Sequence, residues 1–289
     1  MSKHAYLIMA HGQFEQLKKL ILLLDDPRND IYVHVDAKSR HFNQNQFERL
    51  TENASLFFIR RKRVTWGAYS QVRCELELLE AAVKDYHDYY HLLSGADLPI
   101  KSQDQIHKFF EDNQGSEFLS IHEGVMVTKN FRDRIQVYHF LQELVGNKKS
   151  DSLFFKIEWD LLKLQELLRI DRLKNSNLEF QKGTNWFSIT HALAHYVVSK
   201  APQIQKMYKF TKCADEVFLH TLAWNSHFLS RIQYDSKRLI DWKRVRPYIF
   251  RLEDYDTLMN SPCFWARKFD EDIDPDIVQK ISNTFRGVQ

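Results

Sequence analysis

The stretch AYLIMA HGQFEQLKKLILLLDDPRND IYVHV, residues 5–35, decides the fold. Residues 5–10 and 31–35 are short and almost wholly apolar, as buried strands are. Four apolar residues between them recur at the spacing of one helical face: Leu17, Leu20, Ile21 and Leu24. This spacing predicts a helix over residues 15–24. A strand, a helix and a second strand in this order favour a parallel β-α-β unit.

The rest of the chain continues the alternation of strands and helices. Further strands are predicted at residues 56–59, 89–93, 117–121 and 185–190, and further helices at 69–84, 105–111 and 191–199. This order predicts an α/β fold, with a mixed, mostly parallel sheet between helices and a ligand crevice at the carboxyl ends of the strands. Residues 148–175 break the alternation and predict a central helical insertion with a polar outer face. No linker or repeat divides the chain, so a single domain over residues 1–289 is expected.

Composition argues against several classes of protein. The net charge of +3 and the pI near 8.6 are too small to indicate a nucleic-acid partner. Three widely spaced cysteines, Cys74, Cys213 and Cys263, indicate neither a disulfide framework nor a zinc site, and they favour a reducing compartment. No apolar run approaches the roughly 20 residues of a membrane span. With no signal peptide in the pattern, a cytoplasmic location is expected.

The segment KCADEVFL, residues 212–219, offers a candidate catalytic base. Asp215 and Glu216 open an amphipathic segment that ends near Asn225, and the helix is predicted to start at Ala214 or Asp215. Its apolar residues would anchor the turn in the core and leave Glu216 pointing elsewhere. Spacing alone favours a capped, solvated acidic turn, so a catalytic role depends on the rest of the chain.

The sequence has no glycine-rich phosphate-binding fingerprint among its eight glycines. The tripeptides Ala10-His11-Gly12 and His34-Val35-Asp36 follow the first two strands and put an imidazole and a carboxylate at the expected crevice. Asp36 can accept a hydrogen bond from the base or ribose of a nucleotide, or it can cap its own loop. Both roles stay open at this point.

Metal binding is not indicated, because the two D-x-D pairs, residues 254–256 and 272–274, lie in an acidic C-terminal stretch away from the sheet pattern. Four cations interleaved with aromatic residues supply positive charge instead: Arg246, Arg251, Arg267 and Lys268. Such side chains can replace a metal as the electrostatic clamp on a diphosphate leaving group.

Seven motifs occur in an order that is similar to a known family. They are AYLIMAH (5–11), HVD (34–36), VTWGAYS (64–70), YHLLSGADLPI (90–100), NWF (185–187), DE (215–216) and ARKFD (266–270). Together they resemble the core-2/I-branching β-1,6-N-acetylglucosaminyltransferases and peptide O-xylosyltransferases of glycosyltransferase family 14, over nearly the whole chain. The compact form without an anchor resembles a bacterial member. The resemblance implies a GT-A-like fold, inversion at the anomeric carbon, and activity with neither a divalent metal nor another cofactor.

Carried over by position, the resemblance implies that Glu216 is the general base and that Lys268 binds the donor diphosphate. Arg246 is the implied companion arginine after a shift of one residue, and Arg251 is the alternative. The implied uridine-binding residues are Ala10, His11, Asp36 and Trp66. Asp97, in the S-G-A-D turn, is expected beside the donor site, with a purely structural role as the alternative.

The implied reaction transfers a sugar, GlcNAc or xylose, from a UDP-sugar substrate to a saccharide hydroxyl. An enzyme of this kind in a bacterial cytoplasm is expected to extend an oligosaccharide or lipid-linked saccharide for a surface polysaccharide. Residues 131–134 and 138–140, with Trp186, are candidates for an acceptor groove, and ordinary packing is the alternative. The basic run 60–63 is a candidate contact with the inner face of the cell membrane, and a solvated loop is the alternative.

Two rival interpretations belong to other classes. A non-catalytic module that binds a nucleotide sugar or a saccharide would have the same fold, and the presence of Glu216 and Lys268 argues against it. A nucleic-acid-binding protein built on residues 60–63 is disfavoured by the small net charge and the lack of a recognised motif.

Overall fold

The structure is a computed structural model that describes residues 2–122, 129–147, 152–244 and 247–286. Its strands are β1 (His4–Ala10), β2 (Asn29–Val35), β3 (Ser55–Phe58), β4 (Tyr89–Ser94), β5 (Leu98–Pro99), β6 (Glu117–Leu119), β7 (Phe187–Thr190), β8 (Ile232–Gln233), β9 (Arg238–Ile240) and β10 (Trp265–Arg267). Its helices are α1 (Phe14–Leu23), α2 (Tyr69–Ala82), α3 (Gln103–Asp112), α4 (Lys129–Gln136), α5 (Gln142–Val145), α6 (Leu153–Leu167), α7 (His191–Ser199), α8 (Ala201–Tyr208), α9 (Phe218–Trp224), α10 (Tyr255–Met259) and α11 (Pro275–Arg286).

The main sheet has seven strands in the order β3-β2-β1-β4-β7-β6-β8. Strands β1 to β4 run parallel, β7 runs antiparallel to both of its neighbours, and β8 runs parallel to β6. Four of the six neighbouring pairs are therefore parallel. The predicted α/β class, with a mixed and mostly parallel sheet, is confirmed, and so is the opening unit of β1, α1 and β2.

The register of the central strands brings their carboxyl ends to one edge. Ala10, the last residue of β1, lies opposite Val35, the last residue of β2. On the other side of β1, Ser94 at the end of β4 lies opposite Met9. The three loops that follow these strands therefore leave the sheet side by side, where parallel sheets form their ligand crevices.

Helices cover both faces of the main sheet. Along β1 the side chains alternate, so that Ala5 and Leu7 join one apolar cluster while Tyr6 and Ile8 join another. The first cluster is completed by α2, α7, α8 and α9, and the second by α1, α3 and α11. Each helix packs there because its apolar residues recur at helical spacing.

A second, three-stranded sheet has the order β5-β10-β9. Strand β10 runs antiparallel to β5, with Ala266 opposite Leu98. This register brings the residues that follow Ala266 next to the residues that precede Leu98. The small sheet thus joins the C-terminal cationic segment to the loop after β4.

Several predicted boundaries differ in the structure by one to four residues. Helix α2 ends at Ala82 and not at residue 84. The helix predicted to start at Ala214 or Asp215 starts at Phe218, because Ala214–Glu216 form a separate 3₁₀ turn. Val217, with φ of −129°, interrupts the helical backbone between the two.

The helical insertion is confirmed as α6, but its outer face is mixed, because apolar side chains are exposed there beside polar ones such as Lys156 and Lys163. The buried residues of α6 are Glu158 and Gln165, whereas apolar side chains such as Leu164 and Leu167 are exposed. The two buried side chains bond to backbone groups of residues 138–141, which need partners once they are covered. Residues 148–151 lie outside the described part of the chain. Among the described helices, none has the length and apolar character needed to cross a bilayer.

Candidate functional site

The loops after β1 and β2 bring Ala10, His11 and Asp36 together at the carboxyl edge. The buried carbonyl of Ala10 accepts a hydrogen bond from the backbone N–H of Asp36 at 2.9 Å. Asp36 Oδ1 accepts one from the backbone N–H of Lys38 at 2.8 Å, and Oδ2 lies 3.4 Å from Lys38 Nζ. Asp36 therefore caps its own loop, one of the two roles foreseen for it. A contact with a nucleotide stays a prediction.

His11 connects this edge with the C-terminal cations. Burial is the main cause that lowers the pKa of His11, and the charge of Lys268 is the next. Asp36 acts on the same pKa in the opposite direction. Because Lys268 and Asp36 both affect the pKa of the His11 imidazole, both residues lie within electrostatic range of it.

The first helix holds the segment that carries Lys268. The buried side chain of Gln16, in α1, accepts a hydrogen bond from the backbone N–H of Glu271 at 3.0 Å. The backbone N–H of Phe269 donates to the carbonyl of Ala96 at 2.9 Å. Lys268 directly precedes these two anchors and is half-buried, and among the described residues its ammonium makes no ion pair. Its charge adds to the positive N-terminal end of α1.

Asp97 organises the turn after β4. Its Oδ2 accepts a hydrogen bond from the backbone N–H of Ser94 at 2.9 Å, and its Oδ1 accepts one from the Ser94 hydroxyl at 2.7 Å. Arg267 Nη1 lies 3.4 Å from Asp97 Oδ1, and the Arg267 guanidinium lies 4.2 Å from the ring centroid of Trp186. Because Asp97 is fully buried, its contacts favour the structural role, in which it orients Arg267.

Trp66 lies in the loop before α2, with 54% of its surface exposed. The next residue, Gly67, has φ of 67°, and its carbonyl accepts a hydrogen bond from the backbone N–H of Cys213 at 2.8 Å. A Cβ atom on Gly67 would lie 3.2 Å from Cys213 Sγ, so glycine suits both the backbone angle and the close approach. The Trp66 loop is thereby fastened to the turn that carries Glu216.

Glu216 lies between two cations. Its Oε2 accepts a hydrogen bond from Arg134 Nη1 at 2.9 Å and lies 3.2 Å from Lys182 Nζ. About a third of its side chain, 33%, is exposed. The two cations stabilise the negative charge of the carboxylate, and its exposed part can meet a substrate hydroxyl. This geometry is compatible with a general base.

Asp215, one residue earlier, has the opposite environment. Its Oδ2 accepts a hydrogen bond from Gln71 Nε2 at 3.3 Å, and Oδ1 has no hydrogen-bond partner among the described residues. Burial, followed by the charge of Glu216, raises the pKa of Asp215 to about 7. Glu75 on α2 is fully buried nearby, and burial together with Asp215 raises its pKa well above the usual range. The two carboxyl groups belong to the interior and not to the crevice.

Residues 182–186, which precede β7, contact both the candidate base Glu216 and the cation Arg267. The backbone N–H of Gly183 donates to the carbonyl of Glu216 at 3.0 Å. At the other end of the segment, Trp186 packs against Arg267. The segment therefore places contacts to Glu216 and to Arg267 only a few residues apart, within one crevice.

The remaining predicted cations and acidic pairs are placed differently. Arg246 lies outside the described residues. Arg251 Nη1 donates to the carbonyl of Ile273 at 3.0 Å, so its guanidinium faces the acidic C-terminal turn. Asp274 Oδ2 accepts the backbone N–H of Leu252 at 3.0 Å. In the described ranges, no three histidine, cysteine or acidic side chains cluster as metal ligands would.

A cavity of about 1000 Å³ lies beside Trp66. Its lining includes four cations and four aromatic residues: Lys38, Arg63, Arg73 and Lys209, with Trp66, Tyr69, Phe140 and Phe210. Of the predicted acceptor-groove residues, His139 and Phe140 line this cavity, whereas Arg134 contacts Glu216 and Trp186 is buried against Arg267. Lys38 connects the cavity with Asp36.

Lys182 and Glu75 were not identified as site residues from the sequence, and Arg267 was only one of four candidate cations. Lys182 and Glu75 stand in segments with no motif of their own, and each meets the 214–216 turn only through tertiary packing. The position of Arg267 beside Lys268 within ARKFD was the one available signal.

The chain matches a family model described as Core-2/I-Branching enzyme over residues 4–258. It is 25% identical to Xylosyltransferase 2 of Bos taurus in an alignment that covers 98% of this chain and 33% of the relative. It is 24% identical to Xylosyltransferase 1 of Mus musculus, with 98% and 30% covered. The chain thus spans about a third of the length of these curated relatives. The apo structure of mouse Xyloside xylosyltransferase 1 aligns with a TM-score of 0.39 and 11% identity, over 92% of this chain and 97% of that one.

Proposed function

The chain belongs to the Core-2/I-Branching enzyme family, and from this premise we propose that it is a glycosyltransferase. In this proposal it transfers a sugar from a UDP-sugar to a saccharide hydroxyl, with inversion at the anomeric carbon and without a divalent metal. The family match over residues 4–258 confirms the resemblance and spans six of the seven ordered motifs.

The observation that carries the proposal is the pairing of Glu216 with Arg134 and Lys182. The carboxylate is partly exposed and lies 2.9 Å from one cation and 3.2 Å from the other. Asp215 is buried behind it, so a single carboxylate faces the crevice. One base suffices for an inverting transfer, whereas a hydrolase acting on a glycosidic bond requires two facing carboxyl groups.

The donor would bind where Lys268, Arg267 and His11 converge at the start of α1. Lys268 and the helix N-terminus together offer positive charge to a diphosphate. Arg267 is the better-supported companion arginine, because it neighbours Lys268 and is oriented by Asp97, whereas Arg251 donates to Ile273. Ala10, Asp36 and Trp66 line the same edge and would hold the uridine.

The reaction then follows from the chemistry of these groups. Glu216 accepts the proton of an acceptor hydroxyl as that oxygen forms a bond to the anomeric carbon. The bond between this carbon and the diphosphate oxygen breaks on the opposite face, which inverts the configuration. Lys268 and Arg267 stabilise the charge that develops on the leaving UDP. A metal is not required for this step if the two cations supply enough positive charge.

The names of the relatives support xylose as one donor sugar, and the resemblance of the ordered motifs implies GlcNAc as the other. The acceptor in this proposal is an oligosaccharide or a lipid-linked saccharide of a bacterial surface polysaccharide, extended in the cytoplasm at the inner face of the cell membrane. The cavity beside Trp66 suits it, because aromatic faces pack on sugars. A non-catalytic module that binds a nucleotide sugar or a saccharide is the second candidate, favoured by the ion pairs of Glu216 with Arg134 and Lys182, which would give its carboxylate a structural role.

The test is a thermal-shift panel of nucleotides and nucleotide sugars, followed by a turnover assay in excess chelator. We expect UDP, UDP-GlcNAc or UDP-xylose to raise the melting temperature more than ADP or GDP does. In excess chelator, the chain should retain most of the rate of UDP release that it shows without chelator. No stabilisation by any uridine nucleotide would overturn the proposal. Donor binding with no release of UDP across an acceptor panel would support the non-catalytic module, and recovery of a lost rate by manganese would overturn metal independence.

A further inference from the structure

The Trp66 loop and the turn that carries Glu216 are joined through the backbone of Gly67. The carbonyl of Gly67 accepts a hydrogen bond from the backbone N–H of Cys213 at 2.8 Å. The N–H of Gly67 donates to Oε1 of Gln71, in the first turn of α2. Both polar groups of this backbone are therefore engaged. The turn engages one of them directly, and a side chain of α2 engages the other.

Gln71 extends this contact to the carboxyl group beside the base. Its Nε2 donates to Asp215 Oδ2 at 3.3 Å. The orientation of the amide is fixed, because the N–H of Gly67 can only donate and therefore requires the oxygen of Gln71. The nitrogen of the amide then faces Asp215. These contacts close a ring with the backbone of residues 213–215, and we call the part of it that Gln71 supplies the Gln71 bridge.

Trp66 and Glu216 lie directly outside this ring. Trp66 precedes Gly67, and Glu216 follows Asp215. Both side chains reach solvent, whereas Gly67, Cys213 and Asp215 between them are buried. The ring therefore sets the separation of the residue expected at the donor from the residue expected at the acceptor hydroxyl. A displacement of about 1 Å between reacting groups can lower a rate about a hundredfold.

The turn at residues 213–216 depends on contacts from other segments. Cys213 has φ of 51°, in the left-handed region that residues other than glycine rarely adopt. Such a backbone persists where surrounding contacts hold it. Within the described ranges, Asp215 Oδ1 has no hydrogen-bond partner, nor have the carboxyl oxygens of Glu75, one turn after Gln71 on α2. The hydrogen bond from Gln71 is thus a main attachment of this carboxyl group to α2.

We propose that Gln71 is a positioning residue that couples the donor loop to the base. A donor seated against Trp66 restrains residues 65–68, and the Gln71 bridge passes that restraint to the turn at residues 213–216, so that Glu216 is held in place when the donor is bound. This inference rests on the proposed function, because it takes Trp66 as a donor contact and Glu216 as the base.

The test is hydrogen–deuterium exchange of the full chain, read by mass spectrometry with and without UDP. In the wild type we expect UDP to slow exchange at residues 65–68 and, by about fivefold, at residues 215–217. Gln71→Met keeps the length of the side chain and removes both hydrogen bonds. In this variant the protection at residues 65–68 should remain, because Cys213 still bonds to the loop, and the protection at residues 215–217 should be lost.

The matched control is Gln142→Met. The Gln142 amide donates to the carbonyl of Trp66 at 3.2 Å, so the control removes a contact of the same loop and leaves the Gln71 bridge intact. UDP should still protect residues 215–217 in this variant. Thermal unfolding reports that each variant is folded.

Turnover separates positioning from simple packing. Gln71→Met should lower kcat about tenfold and leave the donor KM close to that of the wild type, because the cations for the diphosphate lie on other segments. Asp215→Leu removes the other end of the bridge. The double variant Gln71→Met/Asp215→Leu should therefore lose about tenfold as well, and not about a hundredfold, since both changes break the same contact.

Two results in the exchange experiment would overturn the inference while the donor site stands. One is protection confined to residues 65–68 in the wild type, and the other is protection of residues 215–217 that survives in Gln71→Met. Independent losses of kcat that multiply in the double variant would also contradict it. If UDP protects neither segment in the wild type, the proposed function itself is wrong, and the inference fails with it.

Discussion

The two sides of the 214–216 turn give neighbouring carboxyl groups opposite environments. On the crevice side, Glu216 is partly exposed and lies against Arg134 and Lys182. On the interior side, Asp215 is buried near Glu75, with a hydrogen bond from the neutral Gln71 and no ion pair within the described part of the chain. Environment and not residue type separates the two: the crevice keeps a charged carboxylate available, and the interior keeps a proton on its carboxyl groups to higher pH.

The largest expected effect concerns the crevice side. Glu216→Gln should lower kcat about 10³-fold, because the amide keeps the shape of the side chain but cannot accept the proton. Binding of UDP should stay close to that of the wild type, and calorimetry measures it. Turnover near the wild-type rate would show that Glu216 is not the general base. The proposed functional difference between Glu216 and Asp215 would then be wrong.

The matching change on the interior side is Asp215→Asn, which should affect stability and its pH dependence. Because the pKa of Asp215 is about 7 in the folded chain and 3.8 in the reference state, the folded state retains a proton that the unfolded state releases. Wild-type stability should therefore fall as pH rises from about 4 to 7. Asparagine does not titrate, so relative to wild type the variant should gain about 4 kcal/mol over that interval.

Denaturant unfolding of both proteins at pH 4 and pH 8 measures this difference. An identical pH dependence for the two proteins would contradict the assignment of a retained proton to Asp215. Acidic residues elsewhere also titrate, so the informative quantity is the difference between variant and wild type, not the slope of either alone.

A smaller effect is expected from the cations at the donor end. Lys268→Ala should weaken binding of UDP about 30-fold and leave binding of uridine nearly unchanged, because the lost contact is to phosphate. Arg251→Ala serves as the control, since its guanidinium already donates to the carbonyl of Ile273. Equal losses for UDP and uridine would mean that Lys268 supports the fold and not the diphosphate.

The smallest effect tests the partners of the base. Arg134→Gln should reduce kcat about tenfold, because one of two cations that stabilise the Glu216 carboxylate is lost while Lys182 still neutralises it. The KM for the acceptor should stay close to that of the wild type, because the lost contact is to the base and not to the substrate. A higher acceptor KM with an unchanged kcat would assign Arg134 to the acceptor groove.

The strands and most helices of the first hundred residues could be predicted because their apolar residues follow the period of one element and meet a single face. Helix α6 was predicted, but the exposure of its apolar residues was not, because an apolar pattern does not show which residues the rest of the fold covers. The start of α9 was misplaced because a buried Asp215 closes a 3₁₀ turn, which the acidic pair alone does not reveal.

By itself, the sequence determined the α/β class, the crevice at the strand ends, the family and the identity of Glu216 and Lys268 as candidates. Periodicity and ordered motifs are properties of the sequence, so they can be recognised without a tertiary structure. Only the tertiary structure decided which carboxylate of the pair is accessible, that Arg134 and Lys182 meet Glu216, and that Asp97 orients Arg267. Those contacts join segments from 34 to 170 positions apart, and burial and charge act through space, not along the chain.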